Sequence, residues 1–314
     1  MDPHFLRTFV TVARCGSFSE AARELGYTQS AVSQHIAALE SELGTAILER
    51  RPVAPTSVGA RLLEHAAPLL LRLDAARADM ARLTAAPVSR VTVGVSPLAL
   101  SPDFTRRLTE VCQASPTLEI TVRALSSQAI PAEVAKGTVD LGVVDGMAAP
   151  NDPLNLPDIA PLTTAPVSER PIAVVLPTMH PLAGRASLCL SDLIDARWID
   201  APEIAVPLVQ LRTVTESDGY RPFLRYEGTD VQGLIALAGA GYGLVLLPHA
   251  AVNRFPEVTA VPICEPRLVH RIELLHSRIL DGCAKQLATA LAADGASLTE
   301  DSNHPMHLNE NSQR

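Results

Sequence analysis

The most constraining feature of this sequence is a series of helix start and stop signals near its N-terminus. Apolar residues recur at helical spacing over 3–14, which predicts a first helix. Ser17, followed three residues later by Glu20, forms a capping box that marks the start of a second helix, and Gly26 is a typical helix-ending residue. Because Thr28 stands before a third helix, only a tight turn joins the last two helices, which is typical of a helix-turn-helix.

The third predicted helix has one apolar face and one polar face. Val32, Ile36 and Leu39 recur at i, i+4 and i+7, which predicts a buried stripe. The polar face, free of acid until Glu40, carries Gln29, Ser30, Ser33, Gln34, Ala37 and Ser41. Gln and Ser side chains hydrogen-bond base edges or phosphates, and the free N–H groups of the first turn favour a phosphate. We therefore predict a DNA-reading helix; an ordinary solvated surface helix is the alternative.

A short basic hairpin follows the third helix. Arg50 and Arg51 are the only adjacent Arg pair in the first 90 residues, and Pro52 and Pro55 bound the segment that carries them. Beside a helix-turn-helix, such a hairpin predicts a wing that contacts the DNA backbone. A solvated loop is the weaker interpretation in this context.

The net charge of −8 at first argues against a nucleic-acid ligand. Residues 1–90 contain 10 Arg, no Lys and 9 acidic residues, a net charge of +1. Residues 91–314 contain 16 basic and 25 acidic residues, a net charge of −9. The acidity therefore lies outside the N-terminal module, which can bind DNA if its Arg residues share one face.

The N-terminal pattern resembles that of the LysR-type transcriptional regulators. The matching residues, in order, are Gly16-Ser17-Phe18, Ala21-Ala22, Leu25, Thr28 to Ile36, Leu39-Glu40, Leu43-Gly44 and Glu49-Arg50. The resemblance implies double-stranded DNA as a partner and Gln29 as the residue that reads bases. It also implies supporting contacts from Thr28, Ser33, Gln34, His35, Arg50 and Arg51, to which we add Ser30 and Thr56. Ser30 departs from the pattern by replacing its usual Pro.

A long apolar stripe follows the wing, over 57–86. Its members are Leu62, Leu63, Ala66, Leu69, Leu70, Leu73, Ala76, Met80 and Leu83. Such a stripe predicts a partner helix from a second copy, and in the resembled family this helix dimerises. Packing on the chain's own core is the alternative, because we find no strict heptad sustained. Pro68 predicts a kink or break near Ala67.

From Val91 onward, strands alternate with helices, which predicts an α/β fold with a parallel sheet. The strand pattern restarts at Pro171, and two lobes with crossings near 161–168 and 264–270 resemble the periplasmic-binding-protein-like effector domain of the same family. We therefore expect a winged helix-turn-helix (1–58), a linker helix (59–88), an effector-binding domain (89–293) and a disordered tail (294–314). Within that domain, lobe one comprises 89–162 and 268–293, and lobe two comprises 163–267.

Polar segments at predicted strand ends mark a candidate effector site between the lobes. The residues are Ser96, Pro97, Ser126, Ser127, Ala201, Pro202 and Thr229. Ser96, Ser127 and Thr229 are predicted to cap helices and to present hydroxyl groups to a ligand. They are equally well explained as caps alone. In the resembled family, the positions of Ser96 and Ser127 line the effector pocket.

Other function classes find little support in the sequence. No G-x-S-x-G, P-loop or H-E-x-x-H motif occurs, so we expect no enzyme, no metal site and no cofactor. With neither a signal peptide nor an apolar run of about 18 residues, we expect a cytoplasmic protein without membrane contact. A stand-alone solute-binding protein would not carry residues 1–56. We expect a homo-oligomer, dimer or tetramer, with a small-molecule effector and RNA polymerase as further partners.

Five cysteines are spread along the chain without a C-x-x-C pair. We expect reduced, mostly buried thiols, because no cysteine has a partner nearby in sequence. A redox-sensing cysteine is the alternative.

Overall fold

The protein divides into two units, Met1–Ala81 and Arg82–Arg314, in a computed structural model. The structure describes residues 1–84, 90–157, 161–280 and 282–292. The predicted tail, 294–314, lies outside the described residues.

The N-terminal unit contains three short helices: α1 (Pro3–Cys15), α2 (Phe18–Leu25) and α3 (Gln29–Leu43). Each begins at a polar N-cap whose side chain accepts a backbone N–H, and each ends at a glycine in the left-handed conformation. The predicted caps Ser17 and Thr28 are confirmed. Phe9, Ile36 and Leu39 are fully buried where the helices meet, so the predicted stripe of α3 forms the core of the unit.

A hairpin and a long helix complete this unit. Strands β1 (Leu48–Arg50) and β2 (Val53–Pro55) pair in antiparallel fashion, with Arg51 and Pro52 in the turn between them. Helix α4 (Ser57–Thr84) then continues through Pro68. A break near Ala67 is therefore excluded, whereas a kink there stays a prediction. Ala66 and Leu70, on either side of Pro68, are buried against the N-terminal core, and this packing offsets the lost backbone hydrogen bond.

The apolar stripe of α4 is more regular than the sequence analysis recognised. Seven residues alternate at spacings of four and three over three heptads: Leu62, Ala66, Leu69, Leu73, Ala76, Met80 and Leu83. Leu62 and Ala66 pack on the core of the N-terminal unit. Leu69, Met80 and Leu83 are 51%, 58% and 60% exposed. The first part of the stripe is therefore packed on the N-terminal core, whereas Leu69, Met80 and Leu83 are exposed to solvent.

The second unit begins with a parallel sheet. Strands β3 (Arg90–Val95), β4 (Glu119–Ala124) and β5 (Leu141–Ala148) lie in the order β4-β3-β5. Helices α5 (Pro102–Ala114) and α6 (Ile130–Lys136) connect them, as the alternating pattern predicted. The apolar side chains of β3 pack against α5 and the last helix that the structure describes, and together they form the core of lobe one.

One long strand joins the two lobes. Strand β6 (Leu162–Pro177) starts earlier than the predicted Pro171 and pairs with different partners along its length. Its first part pairs with β12 (Val269–Ser277), which also pairs with β5. Its second part pairs with β10 (Val245–Pro248) and β11 (Val258–Glu265). The sheet is thus mixed rather than parallel throughout, and it continues from lobe one into lobe two.

The remaining elements build lobe two and close lobe one. Lobe two contains the edge strand β7 (Leu188–Cys189), a 3-10 helix (Leu190–Leu193), β8 (Trp198–Asp200), α7 (Leu208–Thr215), β9 (Pro222–Arg225), α8 (Val231–Gly239) and α9 (His249–Val252). Helix α10 (Gly282–Ala292) packs in lobe one. The segment directly after β7 thus forms only a single 3-10 turn, and α7 was not predicted. Within the described part of the chain, no helix is long and apolar enough to cross a membrane.

Candidate functional site

The outer face of α3 presents polar side chains that the core leaves free. Gln29, Ser30 and Gln34 are exposed, and Ser33 is half-buried. Thr28 Oγ1 accepts a hydrogen bond from the backbone N–H of Ala31 (3.2 Å) and lies 3.1 Å from the hydroxyl of Ser30. The face therefore combines hydrogen-bonding side chains with a helix N-terminus, which suits an anion such as a DNA phosphate.

Gln29 is held by a residue that the sequence analysis missed. Ser19, on α2, donates its hydroxyl to Gln29 Oε1 at 3.2 Å. This bond orients the amide and uses one of the two lone pairs of its oxygen. The Nε2 group has no hydrogen-bond partner among the described residues and can donate to a base edge. Only the packing of α2 against α3 brings the two side chains together, so no local sequence signal marks Ser19.

The wing is tied to α3 through one of its two arginines. Arg50 forms an ion pair with Glu40 at 3.1 Å, and its guanidinium lies 5.2 Å from the centre of the Phe18 ring. Glu40 also accepts the backbone N–H of Ile47 at 3.1 Å. Arg51, in the exposed turn, has no partner among the described side chains. The two arginines therefore differ: Arg50 fixes the wing and Arg51 is free for a phosphate.

Two residues of the predicted DNA interface have bonds inside the unit instead. The ring of His35 stacks on Phe5, with centroids 4.9 Å apart, and its Nδ1 lies 3.1 Å from Thr8 Oγ1. The hydroxyl of Thr56 donates to Ala46 O and accepts from the N–H of Gly59, so it caps α4. Both groups are therefore already engaged in packing the domain, and their contact with DNA stays a prediction.

A cavity of about 240 Å³ lies between the two lobes of the second unit. Its walls are mostly apolar. They include Leu98, Met147, Leu154, Leu156, Ile172, Pro202, Ile204, Val206 and Leu246. A few polar side chains converge on it: Ser127, Gln128, Asp145, Asn155, Glu203, Gln210 and His270. An apolar pocket with a few placed polar groups is the usual form of a small-molecule site.

Two buried side chains and one half-buried side chain form a hydrogen-bonded trio at one wall of this cavity. Ser127 donates to Asp145 Oδ1 at 3.0 Å, and His270 Nε2 lies 2.8 Å from Asp145 Oδ2. Asp145 and His270 face the same side of the sheet because β5 and β12 pair in register. His270 is 3% exposed, and its Nδ1 has no hydrogen-bond partner among the described residues. An unsatisfied buried nitrogen at a cavity wall can hydrogen-bond a ligand.

The structure separates the predicted effector residues into four groups. Ser127 and Pro202 line the interlobe cavity, whereas Pro97 lines a neighbouring cavity of about 540 Å³. Ser96 and Ala201 are buried behind the surface. Ser126 and Thr229 line neither of these two cavities.

The predicted helix caps in this unit are wrong. Ser96 bonds to the carbonyl oxygen of Val143, and Ser127 bonds to Asp145. At the start of α8, Asp230 rather than Thr229 accepts the backbone N–H groups. A carboxylate there can accept two N–H groups at once, as Asp230 does from Gln232 and Gly233.

A buried charge cluster supports another part of the cavity lining. Arg271 pairs with Glu169 and donates to Glu273 Oε1 at 2.6 Å. Glu273 in turn accepts the backbone N–H of Leu154 at 3.1 Å, and Glu169 accepts that of Asn151. Since Leu154 lines the cavity, this cluster fixes the position of one wall.

A winged helix-turn-helix with a free polar face, and a two-lobed domain with an interlobe cavity, together define a ligand-responsive DNA-binding regulator. Comparisons with known proteins give the family. The chain belongs to the LysR family of transcriptional regulators: residues 3–60 match the bacterial regulatory helix-turn-helix protein model of that family, and residues 84–282 match the LysR substrate binding domain.

Curated relatives are regulators of the same type. The regulator AlsR of Bacillus subtilis is 30% identical over 263 residues, covering 81% of this chain and 83% of its own. The regulator ShiR of Corynebacterium glutamicum is 30% identical over 281 residues, covering 88% and 91%. The chain is thus a transcriptional regulator with a DNA-binding and an effector-binding domain.

Solved structures share the fold. Full-length BenM aligns with a TM-score of 0.54 at 23% identity, covering 97% of this chain and all of that one. Full-length CbnR in complex with its target DNA aligns with a TM-score of 0.51 at 18% identity, covering 94% and 100%.

Proposed function

We propose that α3 reads an operator through Gln29, Ser30 and Gln34. The free Nε2 of Gln29, oriented by Ser19, is the observation that carries this assignment. Thr28, Ser33 and Arg51 hold the phosphate backbone on either side, and Arg50 positions the wing for this contact. Arg51 contributes most of the salt-dependent attraction because it has no partner among the described side chains.

The chain acts as a dimer or a higher oligomer through α4. Family members oligomerise, and the exposed part of the heptad stripe offers the surface for it: Leu69, Met80 and Leu83 stand at coiled-coil spacing. Two copies present two recognition helices to two half-sites of one operator. Bound beside a promoter, such an oligomer contacts RNA polymerase.

The effector is a small, mostly apolar molecule with one hydrogen-bonding group. His270 Nδ1 anchors that group, and the apolar walls take the rest of the molecule. Asp145 and Glu203 also line the cavity, and His270 is its single basic residue among the described lining. A ligand with two carboxylates would therefore meet more repulsion than attraction. Lobe closure on the effector changes the spacing of the recognition helices.

The trio at the cavity wall binds rather than reacts. In a hydrolytic triad, the histidine takes the proton of the serine, and the carboxylate orients the histidine. Here Asp145 accepts from Ser127 and bonds His270, so Ser127 donates to the carboxylate rather than to the imidazole. This geometry supports a binding site and disfavours an acyl-transfer enzyme.

Fluorescence anisotropy tests the DNA interface. The purified protein is titrated onto DNA from just upstream of its own coding region and onto a scrambled fragment, at two salt concentrations. We expect tighter binding to the native fragment. Gln29→Ala should reduce that preference by about 1–3 kcal/mol at the contacted base pair. Arg51→Ala should weaken binding to both fragments and lower the salt slope by about one.

His35→Gln is the matched control, since this residue lies on the same helix but packs inside the unit. This variant should leave the ratio of the binding affinities for the native and the scrambled fragment unchanged. If Gln29→Ala and Arg51→Ala both bound as the native protein does, the proposed interface would be wrong.

A further inference from the structure

Two cysteines that are far apart in sequence meet at the edge of lobe two. Cys189 ends β7 and Cys264 lies in β11, and their sulfur atoms are 3.2 Å apart. The register between the strands shifts from Ile263 to Glu265, so Cys264 is the extra residue of a β-bulge opposite Cys189. Among the described residues, no other pair of cysteine sulfurs lies in contact.

The two thiols differ in exposure, and one of them is held in its protonated form. Cys264 is exposed and Cys189 is half-buried. The hydrogen bond with Cys264, followed by desolvation, raises the pKa of the Cys189 thiol to about 11. Cys189 therefore keeps its proton at neutral pH, and the exposed Cys264 is the better placed of the two to meet an oxidant in solvent.

We propose that Cys189 and Cys264 form a thiol oxidation site that a peroxide converts to an intramolecular disulfide. The Cys264 thiolate attacks one peroxide oxygen; the O–O bond breaks, and a sulfenic acid and hydroxide form. The Cys189 sulfur then attacks the Cys264 sulfur, the S–O bond breaks, and its hydroxide leaves. The two hydroxides take up the protons of the two thiols. Two thiols are oxidised and one peroxide is reduced to two waters.

The geometry requires only a small movement. A disulfide bond is about 2.05 Å long, so the sulfurs must approach by roughly 1 Å. Both residues lie on paired strands, but β7 is a two-residue edge strand that can shift more easily than the middle of the sheet.

The bond would fasten a segment that supports the core of lobe two. The 3-10 helix directly after Cys189 accepts the indole N–H of Trp198 at Leu193 O (3.0 Å) and the hydroxyl of Tyr220 at Leu190 O (2.9 Å). A covalent link from β7 to β11 closes a loop of about 75 residues and reduces the conformational freedom of the unfolded chain. We therefore expect the oxidised form to unfold at a temperature a few degrees higher.

Peptide mass spectrometry tests the proposal on the full chain. The reduced protein is treated with hydrogen peroxide, the remaining thiols are alkylated, and the digest is examined without reductant. We expect one cross-linked peptide pair that contains Cys189 and Cys264, at least about tenfold more abundant than any other pairing, and its loss after dithiothreitol. A C15S/C112S/C283S variant should give the same pair.

Two controls make the result decisive. The same treatment in urea should give mixed pairings, because the selectivity comes from the folded contact. C264S should abolish the cross-link while leaving the circular dichroism spectrum unchanged. The proposal would be overturned if the folded protein gave the mixture seen in urea, if Cys264 ended as a sulfinic acid with Cys189 still alkylated, or if only disulfides between chains formed.

Discussion

Side chains at the two candidate sites share one property: each has a polar atom that the fold orients but does not satisfy. Ser19 donates to the amide oxygen of Gln29, and the Nε2 group of this amide has no partner among the described residues. Asp145 bonds Nε2 of His270 and leaves Nδ1 without a partner among the described residues. Such a group can bind a ligand with little loss of conformational freedom, because neighbouring side chains already fix its orientation.

At the residue scale, the anchor role of His270 predicts which ligands bind. Thermal-shift assays can compare ligands of two kinds. 4-Methylpentan-1-ol and 4-methylpentanoate each carry one polar group, whereas 2-methylglutarate carries two carboxylates. The first two should raise the unfolding temperature at millimolar concentration, and the dicarboxylate should not. His270→Gln, which can still donate to Asp145, should remove the shift, while Gln232→Ala, at the neighbouring cavity, should keep it. A larger shift with the dicarboxylate would contradict the proposed effector class.

Helix α4 shows how one element can serve two partners. Ala66 and Leu70 fasten its first part to the N-terminal core, whereas Leu69, Met80 and Leu83 remain exposed. The same helix therefore belongs to the DNA-binding unit and offers a heptad stripe to a second copy. The packing of Ala66 and Leu70 on the core also explains why Pro68 does not end the helix.

At the element scale, a charge in the open stripe should separate the copies. Met80→Glu should weaken self-association at least about a hundredfold, because an unpaired carboxylate would be buried in an apolar interface. Sedimentation velocity over a dilution series measures this change. Ala67→Glu, exposed on the opposite face of the same helix, should leave association unchanged. An unaltered dimer in the Met80→Glu variant would exclude α4 as the interface.

Over the whole molecule, the DNA-binding unit and the effector-binding unit have separate apolar cores. The N-terminal unit has its own core around Phe9 and Ile36, and the buried residues of the two lobes form others. Trp198 is the only tryptophan of the chain and lies in lobe two. Its fluorescence therefore reports the unfolding of the second unit alone.

This separation predicts that damage to the second unit leaves DNA binding intact. Arg271→Met would leave Glu169 and Glu273 without their buried cation and should destabilise the second unit by about 3–5 kcal/mol. The Trp198 signal should then move to a lower unfolding temperature, whereas DNA affinity at low temperature stays the same. Arg170→Met removes a partly exposed pair with Asp103 and should cost less than about 1 kcal/mol. Equal losses from the two variants would contradict the role of the buried cluster.

Elements whose signals are local could be predicted from the residues alone. The caps Ser17 and Thr28, the helix-ending glycines and the stripe Val32, Ile36 and Leu39 each act within a few residues, so the helix-turn-helix could be predicted with its boundaries. The alternating strands and helices of lobe one were predicted for the same reason. Where local signals were weaker, the sequence misled: Ser96, Ser127 and Thr229 do not cap helices, and α7 was missed.

Contacts between side chains that are distant in sequence depend on the folded arrangement of the elements. Ser19 reaches Gln29 because α2 packs on α3, and Asp145 reaches His270 because β5 and β12 share a register. Cys189 and Cys264 meet across β7 and β11, although 75 residues separate them in sequence. Register and packing depend on the whole core, and no window of the sequence contains them. The family and the DNA-reading helix could therefore be predicted, whereas the ligand anchor and the thiol pair could not.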